Sequence, residues 1–483
     1  MRLAKKAENG SLPMPENASI PADPLPPPLL KRLQQALGAE RVLTDPADCL
    51  SYGYDNSRRL AMPQAVAFAL SHDEVAAVVA ACFESGVPLV ARGRGTNTTG
   101  ATVPLRGGVV LALERMKRIL RISPGDRLIE VEAGVLNGEV QAEAAKHGLF
   151  WAPDPTSAGY STVGGNLGCS AGGPRAVKYG TARDNTLGLR AVTGEGRTLM
   201  TGCTTTKGVV GYDLTRLIVG SEGTLAVITE ATLKLLPKPE LTRTLRACYR
   251  DVLSAARAVA RVMNQPQTPC ALEFMDGEAV RLAEEYQATG IPAGTGALLI
   301  IEVDGSPATI AHAQRAVSAA AQGDGLIDLK EAANEAEAQA LWACRRALSP
   351  SLRKIAPKKV NEDVAVPVTR LPELIEGLTG LSRKYMLPIV NFGHAGNGNI
   401  HVNILADPGH PEQMKVIEPC LHEVFRLVLK LEGTISGEHG VGMEKRDYVG
   451  WEIATDTLEQ MRALKRVFDP KGILNPGKTL PGL

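Results

Sequence analysis

The run Arg92-Gly93-Arg94-Gly95-Thr96-Asn97-Thr98-Thr99-Gly100 follows an apolar strand pattern at Leu89–Ala91 and precedes a second one at Val109–Leu113. Glycine reaches backbone conformations closed to other residues, and Thr and Asn beside it add hydroxyl and amide groups. A loop of this kind presents successive N–H donors to an anion such as a diphosphate. Its spacing misses the dinucleotide fingerprint G-x-G-x-x-G, since Thr98 stands where the third glycine belongs. A strand follows it instead of a phosphate-facing helix, so a Rossmann-type site is not expected, and neither is a Walker-type phosphate loop. Two further glycine clusters occur, Ser161-Thr-Val-Gly164-Gly165-Asn166-Leu-Gly168-Cys-Ser-Ala-Gly172-Gly173 and Gly220-Ser-Glu222-Gly223-Thr224. Any one of them reads equally well as a tight turn in a β-rich domain. Three together, each with Ser, Thr or Asn beside Gly, predict a large phosphate-bearing cofactor.

Outward from these loops the pattern is mixed. Residues 1–28 are rich in Pro, Asn, Ser and Ala and predict a disordered tail. Leu29, Leu30, Leu33 and Leu37 at helical spacing predict a helix beginning near Leu29. From Met62 strand and helix alternate: a strand at Gln64–Leu70, then a helix over Ser71–Ser85 with Ser71 as its cap and Glu74 three residues on. Pro237-Lys-Pro239 after the strand-like Ala231–Leu236 predicts a domain boundary. Beyond it helices alternate with apolar strands at Ala297–Val303 and Leu387–Asn391. The expected domains are residues 29–238, residues 239–460, and a C-terminal segment 461–483 returning to the first, in an α+β architecture.

With 483 residues, more than one core is expected. Lys plus Arg number 53 and Asp plus Glu 52, so the net charge of +1 offers no field for nucleic acid or an anionic membrane. No apolar run approaches the roughly eighteen residues needed to span a bilayer, and no secretory signal is expected at the N-terminus. The eight cysteines are scattered without a C-x-x-C pair, against a cysteine-held cluster and for free buried thiols in a reducing cytoplasm.

Near the C-terminus two polar segments carry chemistry: Asn391-Phe-Gly-His394-Ala-Gly-Asn-Gly-Asn-Ile-His401-Val-Asn403 and Gly433-Thr-Ile-Ser-Gly-Glu438-His439-Gly440-Val-Gly442. Strict alternation turns Ile400, Val402 and Ile404 toward a core and Asn399, His401 and Asn403 to the other face. The glycine turn before that strand folds His394 back beside His401. Two neutral imidazoles and a carboxylate suit a divalent ion such as zinc, with a position left for substrate, and His439 beside it is free to move a proton. A zinc hydrolase would use two histidines, the glutamate and a water, but leaves the three glycine loops idle.

Arg92–Gly100, Pro153-Asp154-Pro-Thr156, Gly164-Gly165-Asn166, Lys178-Tyr-Gly180 and Gly220–Thr224 together resemble the FAD-binding domain of the vanillyl-alcohol-oxidase flavoprotein superfamily. The His394/His401 and Ser436–Gly440 segments resemble its branch of D-lactate dehydrogenase, D-2-hydroxyglutarate dehydrogenase and the glycolate oxidase D subunit. The resemblance implies an FAD-binding domain with an α+β cap built on an antiparallel sheet. It implies that Arg92, Gly93, Arg94, Gly95, Thr96, Asn97, Thr98 and Gly100 wrap the FAD pyrophosphate. Pro153, Asp154, Thr156, Gly164, Gly165, Asn166, Ser170, Glu222, Gly223, Thr224, Ile228 and Asn475 would line the rest of the cofactor. FAD is expected to be noncovalent, since residues 92–100 hold no histidine to tether it.

The same resemblance assigns His394, His401 and Glu438 as ligands of a divalent metal, zinc first among them. His439 becomes the base, Arg345 the partner of the substrate carboxylate, and Asn403 a neighbour of the substrate. Oxidation of a D-2-hydroxy acid to the 2-oxo acid then proceeds with hydride transfer to flavin N5. Relatives specific for 2-hydroxyglutarate carry a lysine at the place of Asn361, which favours D-lactate or glycolate here and leaves D-2-hydroxyglutarate, or a noncatalytic subunit of a glycolate oxidase complex, as alternatives. Electrons must leave to an external acceptor: a quinone, a cytochrome, an electron-transfer flavoprotein or an iron–sulfur subunit. A homodimer and attachment to the inner face of a membrane are arrangements the resemblance leaves open.

Overall fold

The structure, a computed structural model, describes residues 24–482. The expected tail over residues 1–28 lies outside the described residues as far as residue 23. The first helix, Pro27–Leu37, begins two residues ahead of the expected start, because Pro at a first helical turn loses no hydrogen bond. Its Leu29, Leu33 and Leu37 are buried, as their spacing predicts.

Two sheets build the first half. A four-stranded sheet runs in the order Val42–Leu43, Ala65–Phe68, Val109–Ala112, Leu89–Arg92, with the last three mutually parallel. The helix His72–Ser85 connects two of these strands. Ser71 caps it by accepting from the Glu74 N–H, but Glu74 does not close a capping box: its carboxylate accepts from Leu70 N and Arg41 instead. Residues 92–100 leave the C-terminal end of a parallel strand, the usual place for a ligand loop in such sheets. A five-stranded antiparallel sheet follows, ordered Ile119–Ser123, Leu128–Glu132, Ala226–Lys234, Thr186–Thr193, Thr198–Gly202. The glycines 164 and 165 sit in a short helix, Val163–Cys169, capped by Thr162, where the sequence suggested a loop. A side chain at Gly164 would stand 2.7 Å from Ala133 Cβ, so glycine is what lets this helix lie against the sheet.

The second half is a seven-stranded antiparallel sheet in the order Leu326–Glu331, Leu241–Tyr249, Ala297–Gly305, Ala271–Asp276, Ile389–Gly393, Asn399–Ala406, Lys358–Ala365. Period-two alternation assigns its faces. Leu272, Phe274, Leu299, Ile301, Val364, Ile400, Val402 and Ile404 pack under the helices Val252–Asn264, Leu371–Tyr385 and Pro411–Lys430. The opposite face carries Met275, Leu298, Ile300, Val390, Phe392 and Leu405 against the helix Glu335–Ser351. By the same alternation Glu273, Asp363, His401 and Asn403 project from that second face. At the end of the chain, Leu474 pairs in parallel with Leu89, and Asn475 N donates to the Leu89 carbonyl.

Among the described residues no helix is long and apolar enough to cross a membrane. All eight cysteines are free; Cys203 is exposed and Cys169 half-buried, departing from the uniformly buried set expected.

Candidate functional site

His394 ends the strand Ile389–Gly393, and a single 3-10 turn, Ala395–Asn397, reverses the chain into Asn399–Ala406. Gly398 closes that turn at φ +70°, where an added Cβ would lie 1.8 Å from the Val366 carbonyl oxygen. The reversal sets the His394 and His401 rings 5.2 Å apart at 86°, and the His439 ring stacks on His401 at 5.0 Å. Gly398→Ala is therefore expected to cost about 1–3 kcal/mol and to lower activity more than a distant variant of equal stability cost; a thermal melt beside a rate measurement checks it.

Glu438 reaches both histidines: its Oε1 lies 3.0 Å from His394 Nε2 and 3.8 Å from His401 Nε2, while Oε2 accepts from Gly173 N at 2.7 Å. Burial works against the charge on His394, but Glu273 on Nδ1 and Glu438 on Nε2 outweigh it and raise its pKa to about 10. Burial likewise opposes the Glu438 carboxylate, and His394 overcomes it, bringing its pKa to about 2. His401 is pushed well below its ordinary value, by burial first and then by the neighbouring His439 and His394. It is the neutral imidazole of the group.

Under this cluster lies Asp363, wholly buried. Its Oδ2 accepts from Glu438 N at 2.6 Å and His439 N at 2.8 Å, and its Oδ1 from Asn399 Nδ2 at 2.6 Å. Buried Lys445 donates to the Asp363 and Ile435 carbonyls, bracing the same turn. Neither Asp363 nor Glu273 figures in the expected site. Only Glu273 carries a local signal, a carboxylate between Leu272 and Phe274 in a mostly apolar strand, a position that demands a buried partner; Asp363 lies in the polar run Lys358–Asp363 and has none.

Arg345 lies where expected, on the helix Glu335–Ser351 beside His394. Both line a cavity of about 550 Å³ with Asp154, Arg175, Glu273 and Trp342. Asp154 is pushed up to about 7, chiefly by burial. Asn403 is not free to meet a substrate. It is fully buried, its Nδ2 donates to the Val390 and His401 carbonyls, and its Oδ1 accepts from Asn361 Nδ2 at 2.7 Å. Lys359 shares its strand face with Asn361 and donates to Ser349 Oγ, one helical turn beyond Arg345.

Several expected cofactor residues turn inward. The Arg92 guanidinium donates to Tyr54 O, Ser51 O and Thr102 Oγ1, so it braces the first loop from behind rather than meeting a phosphate. Arg94 pairs with Glu114, and the side chain of Glu222 accepts from Val441 N, Gly442 N and Thr479 Oγ1. Asn475 donates to the Ala101 and Glu222 carbonyls, and Thr224 Oγ1 to the Ser221 carbonyl. Gly95 and Gly100 take φ +65° and +75°, and Thr98 and Thr156 are exposed. Asn97 Nδ2 donates to the His439 carbonyl at 3.0 Å, and Met443 N donates to the Thr99 carbonyl at 2.9 Å. The first glycine loop and the His439 turn are thus fastened to each other. Residues Gly472–Thr479 do spell G-x-x-x-x-G-K-[ST], contrary to expectation, but no strand precedes them and Lys478 is buried on the Val103 carbonyl, so they form no phosphate loop.

The donor sets fit the implied groups. Tetrahedral ligands about 2.0–2.1 Å from zinc stand roughly 3.4 Å apart, and the ligand atoms of His394, His401 and Glu438 all lie within 4.8 Å of one another. His401 Nδ1 is buried without a hydrogen bond, 3.6 Å from Asp363 Oδ1, poised to complete a carboxylate–histidine pair. For FAD, the buried polar atoms Ser161 Oγ, Asn166 Nδ2 and Ser221 Oγ lack protein partners around the glycine loops. A Cβ at Gly168 would point into open space, and one at Gly223 would meet only Ala91 Cβ at 3.9 Å. Gly164 packs against Ala133 and Gly165 against Thr162, Pro153 is buried and Ser170 half-buried, and Ile228 is buried in its strand.

Comparison with known proteins accords with this geometry. Residues 63–202 match the family described as "FAD binding domain", and residues 238–479 the family "FAD linked oxidases, C-terminal domain". The chain belongs to the FAD-linked oxidase family. It is 38% identical to glycolate oxidase subunit GlcD of Bacillus subtilis over 93% of this chain and 96% of that one. It is 34% identical to a D-lactate dehydrogenase of Anaerostipes hadrus, covering 86% and 90% of the two chains. With a D-2-hydroxyglutarate dehydrogenase of Stutzerimonas stutzeri it shares 32% over 94% and 98%. Among solved structures, p-cresol methylhydroxylase superposes with a TM-score of 0.75 at 18% identity, covering 94% of this chain and 96% of that one, which shows a shared fold.

Proposed function

We propose that the chain is an FAD-dependent D-2-hydroxy acid dehydrogenase that oxidises glycolate or D-lactate to the 2-oxo acid and passes the electrons to an external acceptor. The observation that carries this reading is the convergence of His394, His401, Glu438 and His439 beside a cavity that also holds Arg345. When bound, FAD accepts the hydride and a divalent metal, zinc foremost, lowers the pKa of the substrate hydroxyl by several units.

The chain's own residues supply the rest. The terminal nitrogens of Arg345 grip the substrate carboxylate. His394 Nε2, His401 Nε2 and Glu438 Oε1 converge to hold the metal, and Gly173 N fixes the second Glu438 oxygen out of the way. His439 takes the hydroxyl proton: its imidazole makes no hydrogen bond among the described residues, while its backbone is anchored by Asp363 and Asn97. Asn403, fully engaged inside the sheet, supports His401 and does not touch the substrate. The eight thiols are scattered with no C-x-x-C pair, which suits a reducing cytoplasm and an acceptor outside the chain: a quinone, a cytochrome, an electron-transfer flavoprotein or an iron–sulfur subunit.

D-2-Hydroxyglutarate is a second reading, favoured by one observation: Lys359, on the face of Asn361 and bonded to Ser349, puts a cation near the place of the lysine missing at 361. An anaerobic panel of 2-hydroxy acids of both hands tests both. Bleaching of the flavin by D-lactate or glycolate supports the first, faster bleaching by D-2-hydroxyglutarate the second, and no bleaching by any of them overturns the function.

Metal binding should also release a proton. At pH 7 His394 is protonated in the metal-free protein, with a pKa of about 10, whereas His401 is already neutral and Glu438 already ionised. Only His394 must give up a proton, so between pH 6 and 9 zinc affinity should rise about tenfold per pH unit. Calorimetry in buffers of different ionisation enthalpy reads this as nearly one proton released; an uptake, or no exchange, contradicts it.

A further inference from the structure

Glu273 stands in the middle of the strand Ala271–Asp276, wholly shielded from solvent. A carboxylate that deep persists only when paired. Its two oxygens are divided: Oε1 accepts from His394 Nδ1 at 2.6 Å and Oε2 from Arg345 Nε at 2.7 Å. Burial alone would raise its pKa, but the adjacent His394 and Arg345 hold it below the ordinary value.

Each contact decides what its partner has left to offer. With Nδ1 of His394 occupied, Nε2 is the nitrogen that remains for a metal. With Nε of Arg345 occupied, the terminal pair of nitrogens is the free edge. That pair forms no hydrogen bond among the described residues, Arg345 lines the cavity, and its guanidinium packs 4.8 Å from the centre of the Phe392 ring. The terminal edge is the one that grips a carboxylate through two parallel bonds. Both oxygens of Glu273 belong to one rigid carboxylate, so the two partners cannot drift independently.

We propose that Glu273 is a positioning residue that sets the separation between the carboxylate-gripping edge of Arg345 and the metal-facing nitrogen of His394, so that the adjacent hydroxyl and carboxylate of a 2-hydroxy acid are held together and the wider-spaced pair of a 3-hydroxy acid is not. This rests on the roles proposed above for His394 and Arg345. Glu273→Gln keeps the size but sets an amide N–H against one of two donors. Glu273→Asp keeps the charge but withdraws it by one methylene, too short to reach both.

Three measurements on the FAD-loaded protein test this: zinc affinity by competition with a chromophoric chelator in the absence of acid, propionate affinity from the flavin spectrum of zinc-free protein, and kcat/KM for D-lactate against D-3-hydroxybutyrate. In Glu273→Gln both affinities should fall about tenfold or more. In Glu273→Asp the preference for D-lactate should shrink by about tenfold, as one carboxylate no longer fixes both partners. A fall in zinc affinity alone, with propionate affinity and preference intact, overturns the spacing role and leaves an ordinary support for a metal histidine. Unchanged affinities overturn it, and so does loss of flavin from both variants, which makes Glu273 merely structural. Wild-type protein that neither binds zinc nor oxidises any 2-hydroxy acid overturns the site reading itself, and this proposal with it.

Discussion

His439→Ala should leave the flavin bound and slow its reduction by D-lactate or glycolate by about 10²–10⁴-fold, the usual share of a positioned general base. The variant is clean for a structural reason. The backbone of residue 439 is held from both sides, by Asp363 on its N–H and Asn97 on its carbonyl, and neither contact uses the imidazole. What the ring does touch is His401, stacked at 5.0 Å with 8° between planes. Loss of the ring therefore removes the proposed proton acceptor without releasing the turn. Stopped-flow reduction under anaerobic conditions measures it, and a rate near the wild type's would end the assignment of His439 as base.

Asp363→Ala should act on the fold and the site together. The substitution strips an acceptor from Glu438 N, His439 N and the Asn399 amide, and removes a buried negative charge from the surroundings of Lys445, which keeps its bond to the carbonyl of residue 363 and its ion pair with Glu362 at 3.5 Å. Breaking a buried charge arrangement of this kind costs about 3–5 kcal/mol. Burial opposes the Asp363 charge, but His439, Lys445 and His401 overcome it and hold its pKa below the usual carboxylate value. A depressed pKa contributes stability that is complete above the unfolded value of about 3.9 and is lost as pH falls below it. The variant should thus lose stability at neutral pH and show a weaker acid dependence than the wild type. Urea unfolding at pH 7 and pH 3 measures both, and a neutral-pH loss under about 1 kcal/mol, the ordinary cost of one hydrogen bond, would show that the turn stands without it.

What the sequence disclosed and what it withheld divide along a physical line. The His394–His401 pair was readable because its cause is local: a glycine turn and a strand of strict alternation lie within a dozen residues. The glycine loops were readable as candidate cofactor loops for the same reason. Which of their side chains face the cofactor was not, because Arg92, Glu222 and Asn475 take partners at residues 51, 441 and 101 that no local pattern announces. Asn403 shares a strand face with His401 and was expected beside the substrate. Its amide is instead engaged by the Val390 and His401 carbonyls and by Asn361, partners that alternation alone does not reveal. Glu273 and Asp363 went unread because they serve the histidines across strands far apart in the chain.

The contacts from Asn97 and Thr99 to the His439–Met443 segment bear on how the protein can change over time. A family description divides the chain near residue 238, as if two modules had been joined. The seam does not run there. The turn that presents His439 has one anchor in the sheet of the second half and another in a loop of the first, so neither half can be exchanged for a foreign one without leaving that turn tied at a single end. Homologous swaps at the apparent boundary should succeed only when residues 97–99 and 436–443 come from the same parent.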